Sequence, residues 1–150
     1  MHAITVEEVR DPSRLTRVAP GVFDDAPRAD LIAQYLASPG HHLVLAFDGD
    51  LVVGQVAAVV HRHCGKAAEL YLDEVGVADG YLRRGIATRM VEAMLAIGRE
   101  AGCEACWLGT EQDNGPARAL YARWQPAPAR IMMYDFPLGP DGTWSGDLAA

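Results

Sequence analysis

The chain has 150 residues, half of them hydrophobic and 22% charged, with 13 basic and 20 acidic side chains giving a formal net charge of −7. That length suits one domain able to bury roughly 70% of the surface its unfolded chain exposes, and no like-charge block or low-complexity tract suggests disorder. The apolar stretches fall short of the ~20 residues a membrane span needs, and residues 1–10 alternate like a strand rather than a leader. The acidic balance argues against a nucleic-acid partner, which needs clustered Lys and Arg, and suits a soluble cytoplasmic protein that attracts cations. Three cysteines, Cys64, Cys103 and Cys106, are too few and too odd for a disulfide framework and fit a reducing compartment.

Residues 4–9 alternate and are β-branched, which predicts a first strand. Residues 12–38 read as helical in two pieces. Leu15 and Val18 begin the first, Pro20-Gly21 interrupts it, and Asp30 caps the second over 31–36, with a loop over 22–28 carrying Asp24 and Asp25. Residues 42–47 and 51–62 form a hairpin around Asp48-Gly49-Asp50, because Asp-Gly is a strong turn signal. A second turn at 64–66 leads to a strand over 68–77, E-L-Y-L-D-E-V-G-V at its heart. Ile86, Met90, Met94, Ile97 and Ala101 recur at helical spacing, and Gly102 stops that helix. A short buried strand over 103–109, a helix over 116–124 with Pro116 at its first position, and a last strand over 131–136 complete the chain. The tail from 137 reads as loose. The order β-α-α-β-β-β-α-β-α-β predicts a mixed α/β layer, one domain over 1–136, with a central and mostly antiparallel sheet flanked by helices.

The most informative run is residues 75–88, V-G-V-A-D-G-Y-L-R-R-G-I-A-T, where a strand passes through a short loop straight into the clearest helix. A helix N-terminus offers unpaired N–H donors and the positive end of its dipole, a ready anion site. Gly85 lets backbone approach a phosphate, Ala87 keeps the first turn uncrowded, and Arg83 and Arg84 add charge. A plain helix start with surface arginines is the competing reading. Neither a Walker G-K-[ST] nor a G-x-G-x-x-G dinucleotide pattern is present.

Here the sequence resembles the GNAT superfamily of acyl-CoA N-acyltransferases. Its pyrophosphate loop, [QR]-x-x-G-x-[GA], corresponds to Leu82-Arg83-Arg84-Gly85-Ile86-Ala87, with Leu82 standing where Gln or Arg is usual. Its second pattern, N-x-x-A-x-x-L-Y, is met by Asn114, Ala117, Leu120 and Tyr121. Several further pieces are most similar to aminoglycoside 3-N-acetyltransferases: Val22-Phe23-Asp24, Val52-Val53-Gly54, Glu69-Leu70-Tyr71 and Met133-Tyr134-Asp135-Phe136. Trp124-Gln125 departs from that group's Leu-Gly. The resemblance implies acetyl-CoA as cofactor, held by Arg83, Arg84, Gly85, Ala87 and Thr88 at the helix start and by Asn114, Ala117 and Tyr121 on the second pattern. It also implies that the backbone of Val75 and Val77 runs along the pantetheine arm, and that Tyr121 protonates the departing thiolate.

Acetyl transfer from a thioester to an amine needs a neutral amine, so a carboxylate must stand ready to take its proton. Glu74, just before the cofactor loop, is the expected base. Asp73 is its neighbour, and a regular strand points the two to opposite faces. An edge ion pair with an arginine is the plainer alternative. Asp24, Asp25, Asp73, Glu111 and Asp135 are candidates to surround a cationic acceptor. The expected activity is direct transfer to an aminoglycoside amine of the 3-amino type, since no nucleophile constellation is visible. Another amine (a polyamine, a protein N-terminus, a metabolite) on the same scaffold is the alternative, and a non-catalytic acyl-CoA-binding interaction protein a third. The apolar run 131–136 suggests pairing into a homodimer. No metal site is expected: His61, His63 and Cys64 lie near a turn, while Cys103 and Cys106, three apart on a strand, point to opposite faces.

Overall fold

The computed structural model describes residues 2–141, which divide into two compact units between Leu120 and Tyr121. The first unit is built on five strands in the order β1 (Ile4–Glu8), β2 (His41–Asp48), β3 (Leu51–His61), β4 (Glu69–Val77) and β5 (Ala105–Trp107). The first four run antiparallel to their neighbours, while β5 joins β4 in parallel. Helix α1 (Ala29–Ala37) packs on β2, and α2 (Ile86–Glu100) lies across β1 to β4. This is the mixed, mostly antiparallel sheet flanked by helices that the sequence predicts.

Two apolar layers sandwich the sheet. On one face Leu43, Leu45 and Phe47 of β2 join Val52 and Ala57 of β3, with Leu15, Val22 and Leu36 over them. Met90 and Met94 of α2 are fully buried, and a Cβ on Gly54 would lie 2.8 Å from the Met90 methyl. Gly98 approaches Leu70 closely enough that a Cβ there would meet it at 2.9 Å. Small residues at these crossings let α2 lie close to β3 and β4.

In the first unit three expected features differ. The first predicted helix is a single 3-10 turn, Pro12–Leu15, with the Asp11 side chain accepting the Ser13 N–H at 2.9 Å. Beyond it, Val18 is drawn into a parallel bridge with Val52, through Ala19 N–H to Val52 O at 2.9 Å and Val52 N–H to Arg17 O at 2.8 Å. Pairing with the sheet wins over helix continuation. Nor does Asp30 cap α1; it lies in the first turn, ion-paired to Arg28 at 2.7 Å. The strand at β5 exists but is exposed rather than buried, because it is three residues long with β4 as its strand partner among the described residues. Trp107 stays 43% exposed, stacked on Tyr71 at 4.4 Å.

In the second unit, residues 131–136 form no strand, and Ile131, Met132, Met133, Tyr134 and Phe136 are each at least 70% exposed. Pro126, Pro128 and Pro137 flank the run and withhold N–H donors, so alternation alone does not make it pair. Helix α3, Gly115–Ala122, begins in the first unit, with Pro116 at its second position. Its C-terminal end turns through Trp124 N–H to Tyr121 O and Gln125 N–H to Ala122 O, with Gln125 left-handed at φ 51°.

One irregularity governs the site. The β3–β4 register passes from Ala57↔Glu74 to Ala58↔Leu72 and skips Asp73. A bulge of this kind adds a residue to one strand and breaks its alternation. Asp73 therefore shares Glu74's side of the sheet instead of facing away from it, contrary to the expectation for a regular strand. The Tyr35 hydroxyl, carried by α1, donates to the His42 carbonyl at 2.7 Å with the Ala58 carbonyl also within reach at 3.1 Å, and so braces the break.

Next along β4, Gly76 carries the loop over residues 22–25. A Cβ on Gly76 would lie 2.0 Å from the Val22 carbonyl oxygen, and the buried Gln55 amide also donates to that oxygen at 3.3 Å. The space beside Gly76 is filled by the protein's own loop. Accordingly Gly76→Ala is expected to push the loop off β4 and destabilise the fold by about 1–3 kcal/mol, the cost typical of overpacking. Thermal unfolding measures this, and an unchanged Tm would refute the close approach.

Candidate active site

Once seated on β4, the loop delivers its backbone to the strand. The Asp24 N–H donates to Glu74 Oε1 at 2.8 Å. Glu74 is half-buried, and its carboxyl is pushed above the usual range by burial and by the nearby charges of Asp24, Asp73 and Asp25, against which the Asp24 N–H works. The bulged strand and the loop thus bring four of the expected acidic residues together. Glu111 stands exposed in the loop before α3, and Asp135 is exposed in the second unit.

Two tyrosines complete the surroundings. Burial raises the Tyr35 hydroxyl far above its ordinary range, and the fields of Asp73 and Glu74 add to the shift. Burial likewise raises Tyr71, helped by Asp73, to which its hydroxyl is hydrogen-bonded. Both phenols therefore stay neutral beside the carboxylates. Sequence reasoning missed Tyr35 because an isolated tyrosine on a short helix carries no spacing signal; only the fold brings it to the bulge.

Past Tyr71, β4 loses its β5 partner: pairing with β5 covers Glu69, Leu70 and Tyr71, so the segment to Val77 has an open edge among the described residues. Val75 and Val77 lie on this stretch. Open strand edges expose N–H and C=O groups that accept an extended ligand backbone. The strand then ends in a 3-10 turn, Asp79–Tyr81, before α2.

The start of α2 has the features an anion site needs. Its N-cap, Gly85, is left-handed at φ 71°, no side chain caps the helix, and a Cβ at Gly85 would meet nothing within 4 Å. The first-turn N–H groups of Ile86, Ala87 and Thr88 therefore have no capping side chain. Arg83 is also left-handed, φ 61°, a costly conformation for a residue with a side chain and of a kind that clusters at ligand sites. Arg83 and Arg84 are exposed on this turn, as is Leu82, which offers an aliphatic chain where the motif has a polar one. An uncapped helix start, an open cradle at Gly85 and an open strand edge fit a ligand with a phosphate group and an extended amide-bearing arm.

Asn114 has a second use. Its side-chain oxygen accepts the Ala117 N–H at 3.1 Å and so caps α3. The N-x-x-A spacing is thus a capped helix start as well as a motif. Tyr121 falls in the second unit.

Cys103 and Cys106 are free thiols, and desolvation of the sulfur pushes the Cys106 thiol up to about 11. Among the described residues no group of three or more His, Cys, Asp or Glu side chains is arranged to hold a metal ion. Nor is any helix among them long and apolar enough to cross a membrane.

The chain resembles known proteins over most of its length. A curated relative, N-alpha-acetyltransferase 30 of Schizosaccharomyces pombe, is 30% identical over 79 residues, 53% of each protein. The chain therefore matches about half the length of that relative. Among solved structures, an aminoglycoside acetyltransferase from an uncultured soil metagenomic sample, in complex with sisomicin, has a TM-score of 0.78 at 16% identity, over 91% of this chain and 97% of that one. A ribosomal-protein-alanine N-acetyltransferase from Brucella melitensis biovar Abortus 2308 has a TM-score of 0.67 at 17% identity, over 89% and 98%. At such identities the likeness is one of fold. The sequence profile of the acetyltransferase (GNAT) family matches residues 7–125, most of the chain. The chain belongs to this family, whose enzymes take their acetyl group from acetyl-CoA.

Proposed function

We propose that this chain is an N-acetyltransferase acting in the cytoplasm on an aminoglycoside, or a polycationic amine of that kind. The observation that carries the reading is Glu74, half-buried and hydrogen-bonded to the Asp24 N–H, with Asp24, Asp25 and Asp73 close enough to raise its pKa. Clustered carboxylates attract a molecule with several ammonium groups and raise its local concentration. The sequence resemblance adds the 3-amino group as the acceptor.

In this reading acetyl-CoA supplies a thioester carbonyl. Arg83, Arg84, Gly85, Ala87 and Thr88 at the α2 N-terminus would hold its pyrophosphate, and the backbone of Val75 and Val77 its pantetheine arm. Glu74 accepts the proton the acceptor amine must lose, its raised pKa bringing it nearer to the operating pH of a general base. Tyr121, on the motif helix, would give its proton to the departing thiolate as the carbon–nitrogen bond forms and the carbon–sulfur bond breaks.

A second reading, acetylation of a peptide N-terminus, is favoured by the curated relative, itself named as a protein N-alpha-acetyltransferase. An acceptor panel separates the two. Thiol release from acetyl-CoA is followed with gentamicin-class aminoglycosides, a linear polyamine and short peptides. Turnover is expected with the aminoglycosides, and turnover with peptides alone would transfer the assignment to the second reading.

Glu74→Gln gives a further check. Glutamine keeps the oxygen that accepts the Asp24 N–H but cannot take a proton, so turnover is expected to fall about 10²–10⁴-fold. Because folding raises the Glu74 pKa, protonated Glu74 supports the fold at acid pH, and that support is lost as pH rises through the raised value. In mildly alkaline buffer the variant is therefore expected to melt above the wild type, with the gap closing under acid conditions. Lower activity without higher alkaline Tm would count against a strained carboxylate.

A further inference from the structure

Outside the acidic group, one nearly buried carboxylate has no place in the mechanism. Asp48 closes β2 at the hairpin turn, with its side chain only 9% exposed. It accepts the Tyr81 hydroxyl at 2.6 Å on one oxygen and the His2 N–H at 2.8 Å on the other. These donors, the tyrosine first, hold its carboxyl down at about 2, so it stays ionised at any working pH. Tyr81 ends the 3-10 turn that leads into the cofactor loop, and its ring lies under the Arg84 guanidinium, 5.1 Å from the ring centroid.

We infer that Asp48 and Tyr81 are positioning residues for cofactor binding: the carboxylate fixes the phenol, and the ring fixes the direction of Arg84. Arg84 is exposed, and a long exposed side chain pays conformational entropy when it clamps an anion. A ring already beneath the guanidinium removes part of that cost, and a cation over an aromatic face is attracted to it besides. The ring serves only if it is itself held. Its tether comes from a different part of the chain, the β2–β3 turn, which Asp48 also ties to the N-terminal segment through His2. Neither Asp48 nor Tyr81 needs to touch the cofactor for this. Sequence reading assigned Asp48 to a turn and gave Tyr81 no role; the hydroxyl–carboxylate bond, spanning 33 residues, exists only in the fold.

The inference rests on the assignment of Arg84 to the cofactor phosphates, and the test separates the two. Coenzyme A binding is measured by calorimetry, without acceptor or turnover, for the full chain and for Tyr81→Phe, Asp48→Asn, Arg84→Gln and Tyr81→Phe/Arg84→Gln. Tyr81→Phe keeps the ring but loses the tether, and about a fivefold loss of affinity is expected, the equivalent of one ordinary hydrogen bond. Asp48→Asn keeps an acceptor for the hydroxyl and is expected to lose less. With Arg84→Gln already present, Tyr81→Phe should add less than a twofold loss, because its effect runs through the arginine. Wild-type affinity in Tyr81→Phe, or the same fivefold loss with and without Arg84, would overturn the inference; the latter would mean that Tyr81 merely supports the fold. Wild-type affinity in Arg84→Gln would instead overturn the phosphate assignment beneath it.

Discussion

The contact on which the site depends is the seating of the Val22 carbonyl against Gly76. Only a residue without a Cβ allows backbone to approach backbone at that distance, and Gln55, wholly buried beneath, secures the same oxygen. Val22 itself is 1% exposed and belongs to the apolar core, so burial of its side chain holds the loop from the other end. With the loop fixed there, Asp24 presents its N–H to Glu74, and Asp25 follows into the same field. The loop over 22–28 thereby joins the acidic group on β4.

The β4 strand makes its contribution through departures from regularity. Its bulge places Asp73 and Glu74 on one side of the sheet, its glycine admits the loop, and its loss of β5 beyond Tyr71 leaves an open edge. Each departure costs some ladder pairing, and each provides something the proposed chemistry uses. The supports come from elsewhere: Tyr35 from α1 braces the bulge, and the Asp48–Tyr81 bond steadies the turn that follows. Irregular backbone at a functional site, held by regular structure around it, is a common arrangement because strain persists only where its surroundings determine it.

Much of this was legible in the residues. The hairpin around Asp48-Gly49-Asp50, the helix from Ile86 and the strand before it follow from periodicity and turn chemistry, and the structure has them within a residue or so. The passage from strand through Gly85 into the helix was also readable, since strand, glycine and helix occur in immediate succession. The bulge at Asp73 was not, because alternation is unbroken in the letters and the skip appears only when β3 is laid beside β4. The same limit explains the segment 131–136, whose alternation predicted a strand: a strand needs a partner edge, and the pattern does not name one. The reason for Gly76 was not legible either: only the fold brings the Val22 carbonyl against it.

Two groups of side chains carry opposite charge. Arginines gather at the start of α2, and carboxylates gather where the loop meets β4, so the net −7 is the sum of two opposed sites and an ordinary surface. The direct test of this account is the steady-state KM of a gentamicin-class aminoglycoside for the Asp24→Asn/Asp25→Asn/Asp73→Asn enzyme, with Glu74 and every backbone group retained. Three charges removed from a partly screened pocket are expected to raise the acceptor KM by about tenfold or more and to make it less salt-dependent, while the KM for acetyl-CoA stays as it was. An acceptor KM equal to that of the wild type would contradict the account.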